Sequence, residues 1–146
     1  MLVGGGPLFD EVRAYCASRG LAHVFPVGAK NQTELPRYYA AADVFTLVSG
    51  PGEVTPLVIH EAMCFSLPLV LSDAIPSTID FLRPGENGAT FPWGDIDRLA
   101  ETLDGMLADE PRRVAMGQAS RGIIAGWTYD AAVDGIVAGL RAVVKR

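Results

Sequence analysis

At 146 residues, with 49% hydrophobic and 20% charged content, the chain carries enough apolar material to bury a core and too much to be disordered. Its formal net charge of −5, from 12 basic and 17 acidic side chains, argues against a protein that follows a phosphate backbone, so no nucleic-acid partner is expected. Cys16 and Cys64 fall in two different predicted helices; they frame neither a disulfide scaffold nor a metal knuckle and read as buried thiols.

Residues 1–3 read as the tail of a buried strand, which Gly4-Gly5-Gly6-Pro7 turns into a helix reaching about residue 19 and ended by Gly20. A second strand is expected over 23–27. Thr33 is then placed as the cap of a helix on which Leu35, Tyr38, Tyr39 and Ala42 recur at helical spacing. Residues 44–48 form an almost wholly apolar strand, the pattern of a parallel strand covered on both faces. After the loop Ser49-Gly50-Pro51-Gly52 comes a helix over 56–65, with Thr55 as its cap and Pro56 as its first residue.

A strand over 69–71, a short helix capped by Ser77 or Thr78, a turn at 84–88 and a strand over 89–91 continue the alternation. Three helices follow, over about 96–108, 111–125 and, behind Thr128 as N-cap, up to 144. The expected fold is therefore α/β: a Rossmann-like parallel sheet of about five strands flanked by helices, one domain over 1–146, of which 96–146 is a helical C-terminal part. Loops at the carboxyl ends of the strands, at 4–7, 28–32, 49–53 and 72–77, are expected to converge on one rim, where such sheets bind ligands.

Glu53 and Glu61 carry the functional signal. They sit eight positions apart across a loop-to-helix junction, so that one carboxylate precedes a helix and the other lies about two turns inside it. The unpaired N–H groups of a helix start favour an anion, and carboxylates accept from hydroxyls. A ligand with both a phosphate and several hydroxyls, such as a nucleotide-sugar, suits that edge. Glu61 on a helix side could be merely solvated, but its neighbours Val58, Ile59, Ala62 and Met63 make the helix apolar, where an idle charge is costly. Glu53 could be only a loop acid favourably placed before a helix. The triple glycine is as consistent with a tight turn as with a phosphate cradle. His23 and His60 lack a partnered metal spacing, and no metal is expected. His60 is read as structural or exposed, Asp43 and Asp73 as local capping or pairing groups, and Arg112 with Arg113 as a solvated pair.

Four segments, in order, resemble the C-terminal half of GT-B glycosyltransferases of the large retaining family 4 type. Val3-Gly4-Gly5-Gly6-Pro7 is similar to that family's V-G-x-G-P turn, and residues 35–44 to its L-P-x-Y-Y-A-A-A-D-V helix. Residues 53–63 resemble its E-x7-E element with the trailing E-A-M, and residues 84–95 its P-G-E-N-G…F-P-x-G-D turn. The resemblance implies a donor-binding domain of a hexosyltransferase-like enzyme, using a UDP- or GDP-sugar as substrate and no cofactor. It implies that Glu53 meets the transferred sugar, Glu61 the ribose, the Leu57 and Val58 amides with Thr55 the diphosphate, Gly28 and Ala29 the base, and Gly5 the rim beside them.

The chain departs from the family pattern at Val54-Thr55-Pro56, where proline would remove one donor from a phosphate nest, and at Cys64-Phe65-Ser66, where serine must take or avoid a left-handed position usually given to glycine. An Arg- and Lys-bearing segment and an acceptor-binding N-terminal domain, both implied by the resemblance, would precede Met1. The chain is therefore expected to be part of a longer enzyme and inactive in isolation. A strand left at an open edge suggests self-association. Two competing readings are a noncatalytic nucleotide- or protein-binding module of flavodoxin-like type and one half of a GT-B nucleotide-sugar epimerase. No charged and apolar leader precedes the first strand and no apolar stretch approaches the ~20 residues of a membrane span, so a cytoplasmic location is expected, with peripheral membrane association left open.

Overall fold

The computed structural model describes residues 1–144, and the chain packs as two compact units, one up to Ala40 and one from Ala41 onward. Both are parallel α/β. The five strands are present, but they pair as two sheets, of two and three strands, instead of one.

In the first unit, β1 (Leu2–Val3) runs parallel to β2 (Pro26–Gly28), and α1 (Phe9–Ser18) and α2 (Leu35–Ala40) accompany them. β2 starts three residues later than the apolar pattern suggests. Gly20, at φ +62, closes α1 with its N–H on Ala17 O while Leu21 N–H reaches Cys16 O, and Val24 N–H then turns back to Leu21 O. Those amides are committed to a helix stop and a turn and cannot join a ladder. The cap of α2 is likewise displaced, from Thr33 to Asn31. Asn31 Oδ1 accepts from the N–H groups of Thr33 and Glu34, both at 3.0 Å, and Glu34 Oε2 accepts from Asn31 N–H at 3.2 Å, a reciprocal capping box. Thr33 donates its own hydroxyl to the same Asn31 oxygen.

In the second unit β3 (Phe45–Leu47), β4 (Leu69–Ser72) and β5 (Gly88–Phe91) lie in the order β3-β4-β5, all parallel, with Phe45 opposite Leu69 and Leu69 opposite Gly88. The strand covered on both faces is β4, whose four residues are all buried. β3, the expected candidate, is an edge strand with Thr46 exposed. α3 (Leu57–Cys64) contributes the fully buried Ile59 and Met63; α4 (Thr78–Phe81) contributes Phe81. Val70, Phe91, Met106 and Met116 form a core with Val44, Leu99 and Leu103 packed against it, so α5 (Ile96–Ala108) and α6 (Glu110–Ile124) cover the sheet. α7 (Tyr129–Val144) completes the chain.

Each late helix begins on a side chain that accepts from the first turn. Asp95 takes Arg98 N–H at 2.9 Å, Asp109 takes Arg112 N–H at 3.0 Å, and Thr128 takes Ala131 N–H at 3.1 Å. Ser66 adopts φ +57, so serine does occupy the left-handed position after α3. A Cβ at Gly117 would overlap the carbonyl oxygen of that same Ser66, which is why α6 needs glycine where it crosses. Buried Asn87 ties the turn before β5 to the rest: its Oδ1 accepts from Arg83 N–H at 2.7 Å, and its Nδ2 donates to Phe81 O at 2.9 Å and to Ser120 Oγ at 3.3 Å.

Two smaller expectations also change. Cys64 is exposed and Cys16 half-buried, because Cys64 ends α3 on the face away from Ile59 and Met63. Arg113 is not solvated: its guanidinium is largely covered, donates to Leu107 O at 2.9 Å and lies 3.6 Å from Asp43. Among the described residues no single helix is long and apolar enough to cross a membrane.

Candidate functional site

Because β3, β4 and β5 are parallel, the segments that follow them leave the same edge of the second unit's sheet. The segment after β3 carries Glu53, whose N–H donates to Gly50 O at 3.1 Å and closes a turn over Gly50-Pro51-Gly52. Glu53 is half-buried there.

The helix start that follows differs from expectation by one residue. Pro56 holds φ −73 and ψ 112 and is itself the N-cap of α3, with no side-chain capping bond; Thr55 is exposed. An extended ψ at Pro56 postpones the first helical residue to Leu57 and leaves the Thr55 hydroxyl one position too early to serve as cap. The shift alters the chemistry. Proline's missing N–H now falls outside the helix, and the donors at the helix start are Leu57 and Val58, which precede the first amides able to bond within the helix. Ile59 N–H already turns back to Pro56 O at 3.1 Å. The donor lost to proline is therefore not one of the helix-start pair.

Glu61 lies four residues after Leu57 and three after Val58, hence on their side of α3, while Ile59, Ala62 and Met63 face the core. Glu61 is half-buried at the boundary between these faces. A carboxylate on the flank of the helix, an anion-seeking helix start and a second carboxylate in the preceding turn can together accept from sugar or ribose hydroxyls and donate to a diphosphate.

His60 points elsewhere. Its ring packs at 4.2 Å from Phe81, which in turn stacks 4.5 Å from Trp127, and its Nε2 is buried without a hydrogen-bond partner. Burial pushes its pKa below the ordinary 6.5, the neighbouring Glu61 charge only partly offsetting this. It is a neutral packing group.

In the first unit the three rim residues meet at the end of the β1–β2 ladder. Gly4 N–H donates to Gly28 O at 3.1 Å, and a Cβ on Gly5 would stand 3.2 Å from the Ala29 methyl. Gly28 holds φ +76 with the Phe9 ring against it, a position that excludes a side chain.

Sequence reasoning passed over one further group at the edge of the second unit. Asp73, expected to pair locally, accepts at 2.9 Å from the backbone N–H of Trp93, twenty residues on. The Trp93 indole lies so close to Gly50 that a Cβ there would be 2.8 Å from its Cζ2. The only signal was an aromatic residue in the Phe91-Pro92-Trp93-Gly94-Asp95 turn.

Residues 1–122 match the family model described as glycosyl transferases group 1. The chain belongs to this family. Among its relatives, a GDP-mannose-dependent alpha-(1-6)-phosphatidylinositol monomannoside mannosyltransferase of Mycobacterium tuberculosis is 32% identical over 140 residues, a match covering 89% of this chain and 36% of the relative. The sulfoquinovosyl transferase of Arabidopsis thaliana is 33% identical over 121 residues, covering 82% of this chain and 23% of the relative. The fold is shared with solved structures: sucrose-phosphate synthase from Thermosynechococcus elongatus superposes with a TM-score of 0.79 at 24% identity, over 99% of this chain and 38% of that one. An Anabaena protein, HepE, solved in complex with UDP, superposes with a TM-score of 0.78 at 23% identity, over 97% and 40% respectively. The chain thus spans well under half the length of these proteins.

Proposed function

We propose that this group 1 chain is the donor-binding part of a longer glycosyltransferase, which transfers a sugar from a UDP- or GDP-sugar to an acceptor with retention of configuration. The observation that carries the reading is the start of α3, where the Leu57 and Val58 amides stand between two half-buried carboxylates, Glu53 in the preceding turn and Glu61 on the same side of the helix. The amides donate to the diphosphate, whose charge the helix start favours. Glu61 accepts from the ribose hydroxyls and Glu53 from hydroxyls of the transferred sugar. Thr55, exposed and released from capping, is free to donate its hydroxyl to a phosphate oxygen. One relative is named as GDP-mannose-dependent and one solved neighbour is a complex with UDP, which together support a nucleoside diphosphate without choosing between the two bases.

Calorimetry with UDP and GDP tests this directly. Glu61→Ala should weaken the preferred nucleotide about tenfold or more, the scale of a charge-assisted hydrogen bond. Unchanged affinity would remove Glu61 from the site, and a chain that binds neither nucleotide would favour a noncatalytic module.

A further inference from the structure

Glu53 sits in a glycine-rich turn of four residues, Gly50-Pro51-Gly52-Glu53, closed by one backbone hydrogen bond. Such a turn by itself samples many conformations, since two of its residues are glycines. The second unit contains a device that restrains it. Asp73, at the end of β4, is fixed by its own N–H on Phe91 O at 3.0 Å, and its side chain accepts from Trp93 N–H at 2.9 Å. The turn bearing Trp93 is closed in addition by Asp95 N–H on Pro92 O at 3.0 Å, with Gly94 at φ +83. The backbone of Trp93 is therefore anchored to both β4 and β5. Its indole, 57% exposed, reaches over to Gly50, where a Cβ would fall 2.8 Å from Cζ2, 2.9 Å from Cε2 and 3.1 Å from Nε1. Gly50 O is the acceptor of the Glu53 N–H. The contacts run without a gap from the buried ladder to the candidate sugar-binding carboxylate.

The exposure of the ring is the second part of the argument. An indole that served the core would be buried; this one sets one edge against a glycine backbone and is more than half exposed at the edge of the sheet that the β3–β5 loops leave. Where the ring now lies it leaves no room for a side chain at residue 50, so a substitution there would have to push the ring away.

We infer that Trp93 is a positioning residue: anchored by Asp73 and packed on Gly50, it holds the Gly50–Glu53 turn so that Glu53 is presented to the donor sugar. The inference rests on the donor-site reading, and its consequences differ from those of a general loss of stability. The diphosphate end of the site is built on the α3 start, which Trp93 does not touch in this chain of contacts. Loss of Trp93 should therefore affect the sugar and spare the nucleotide.

The test has two arms. Hydrogen exchange at the Glu53 amide should accelerate about tenfold or more in Trp93→Ala, stay near the wild-type rate in Trp93→Phe, and accelerate again in Gly50→Ala, whose new methyl displaces the ring. Calorimetry with GDP-mannose against GDP, and UDP-glucose against UDP, should show Trp93→Ala weakening the nucleotide-sugar about tenfold while changing the free nucleotide less than twofold, with Trp93→Phe restoring the difference. The double variant Gly50→Ala/Trp93→Ala should be no worse than either single change, because each breaks the same contact. Unchanged exchange at Glu53, or equal losses for sugar nucleotide and free nucleotide, would overturn the positioning role while leaving the donor site standing. A wild-type chain that binds neither ligand sinks the donor-site reading and the sugar role with it, and the exchange arm then decides the Trp93–Glu53 restraint alone. Altered affinity for the sugar nucleotide with unchanged Glu53 exchange would make Trp93 a direct sugar contact and overturn positioning.

Discussion

β1 and β4 are both short parallel strands of aliphatic residues followed by a turn, and they could hardly be less alike in the folded chain. Leu69, Val70 and Leu71 of β4 have no solvent exposure, whereas Leu2 and Val3 of β1 are 48% and 40% exposed. The difference is one of neighbours. β4 has a strand on each side and helices over its faces; β1 has one partner strand, and among the described residues of its unit only Tyr39 is buried. Apolar composition marks a strand, but burial comes from being flanked. For function, the comparison separates two kinds of rim residue: Glu53, Leu57, Val58 and Glu61 belong to a unit with its own packed core, while Gly5, Gly28 and Ala29 sit on a ladder without one.

The harshest way to break that contrast is to disturb the β4–β5 ladder itself. Gly88 lies opposite Leu69, and any Cβ there would overlap the Leu69 carbonyl oxygen as well as crowd a Leu82 methyl. Backbone cannot step aside as a side-chain end can, so Gly88→Ala should cost at least about 3 kcal/mol, the upper end of overpacking penalties, and urea denaturation of the variant should show it. A milder pair of truncations sharpens the comparison. Leu71→Ala, from full burial, is expected to cost about 3 kcal/mol, and Leu2→Ala, from half exposure, under about 1 kcal/mol. Equal costs would mean that β1 is covered by something outside the described residues.

The same contrast explains which features the sequence made legible. Alternating strands and helices, and the run of α5 over Ile96–Ala108, follow from local pattern plus a side-chain cap, Asp95, that lies next to what it caps. The five strands were legible for the same reason. What escaped depended on competition or on distance. Thr33 and Thr55 are both plausible caps by type, yet Asn31 holds the first helix start through two amides and Pro56 delays the second by one residue. Which aliphatic strand is central cannot be read from composition, since Val44 to Val48 looks at least as apolar as β4. The acids of the candidate site were visible because their spacing is local. Trp93 and Gly50 were not, because their contact joins segments more than forty positions apart.

The subtlest expected effect lies in the second unit at half-buried His60, whose Nε2 is buried without a hydrogen-bond partner. His60 stacks against Phe81, with the Trp127 ring 6.3 Å away, so it joins α3 to α4 and to the turn that precedes α7. Its folded-state pKa lies below the ordinary value of 6.5 because burial penalises the charged form. The sign follows: at pH well above 6.5 the ring is neutral both folded and unfolded and has no linkage. As pH falls through 6.5 the unfolded chain takes up the proton first, and stability is lost until the folded-state pKa is passed. His60→Leu, which keeps an apolar group of similar reach, should remove that part of the pH dependence. Urea midpoints compared at pH 7.5 and pH 5.5 should therefore separate wild type from variant only at the lower pH, beyond a constant offset; titration of carboxylates remote from His60 affects both proteins alike and cancels in the difference. Parallel curves at both pH values would mean that the imidazole reaches water or a carboxylate in solution and that the aromatic cluster around it is open.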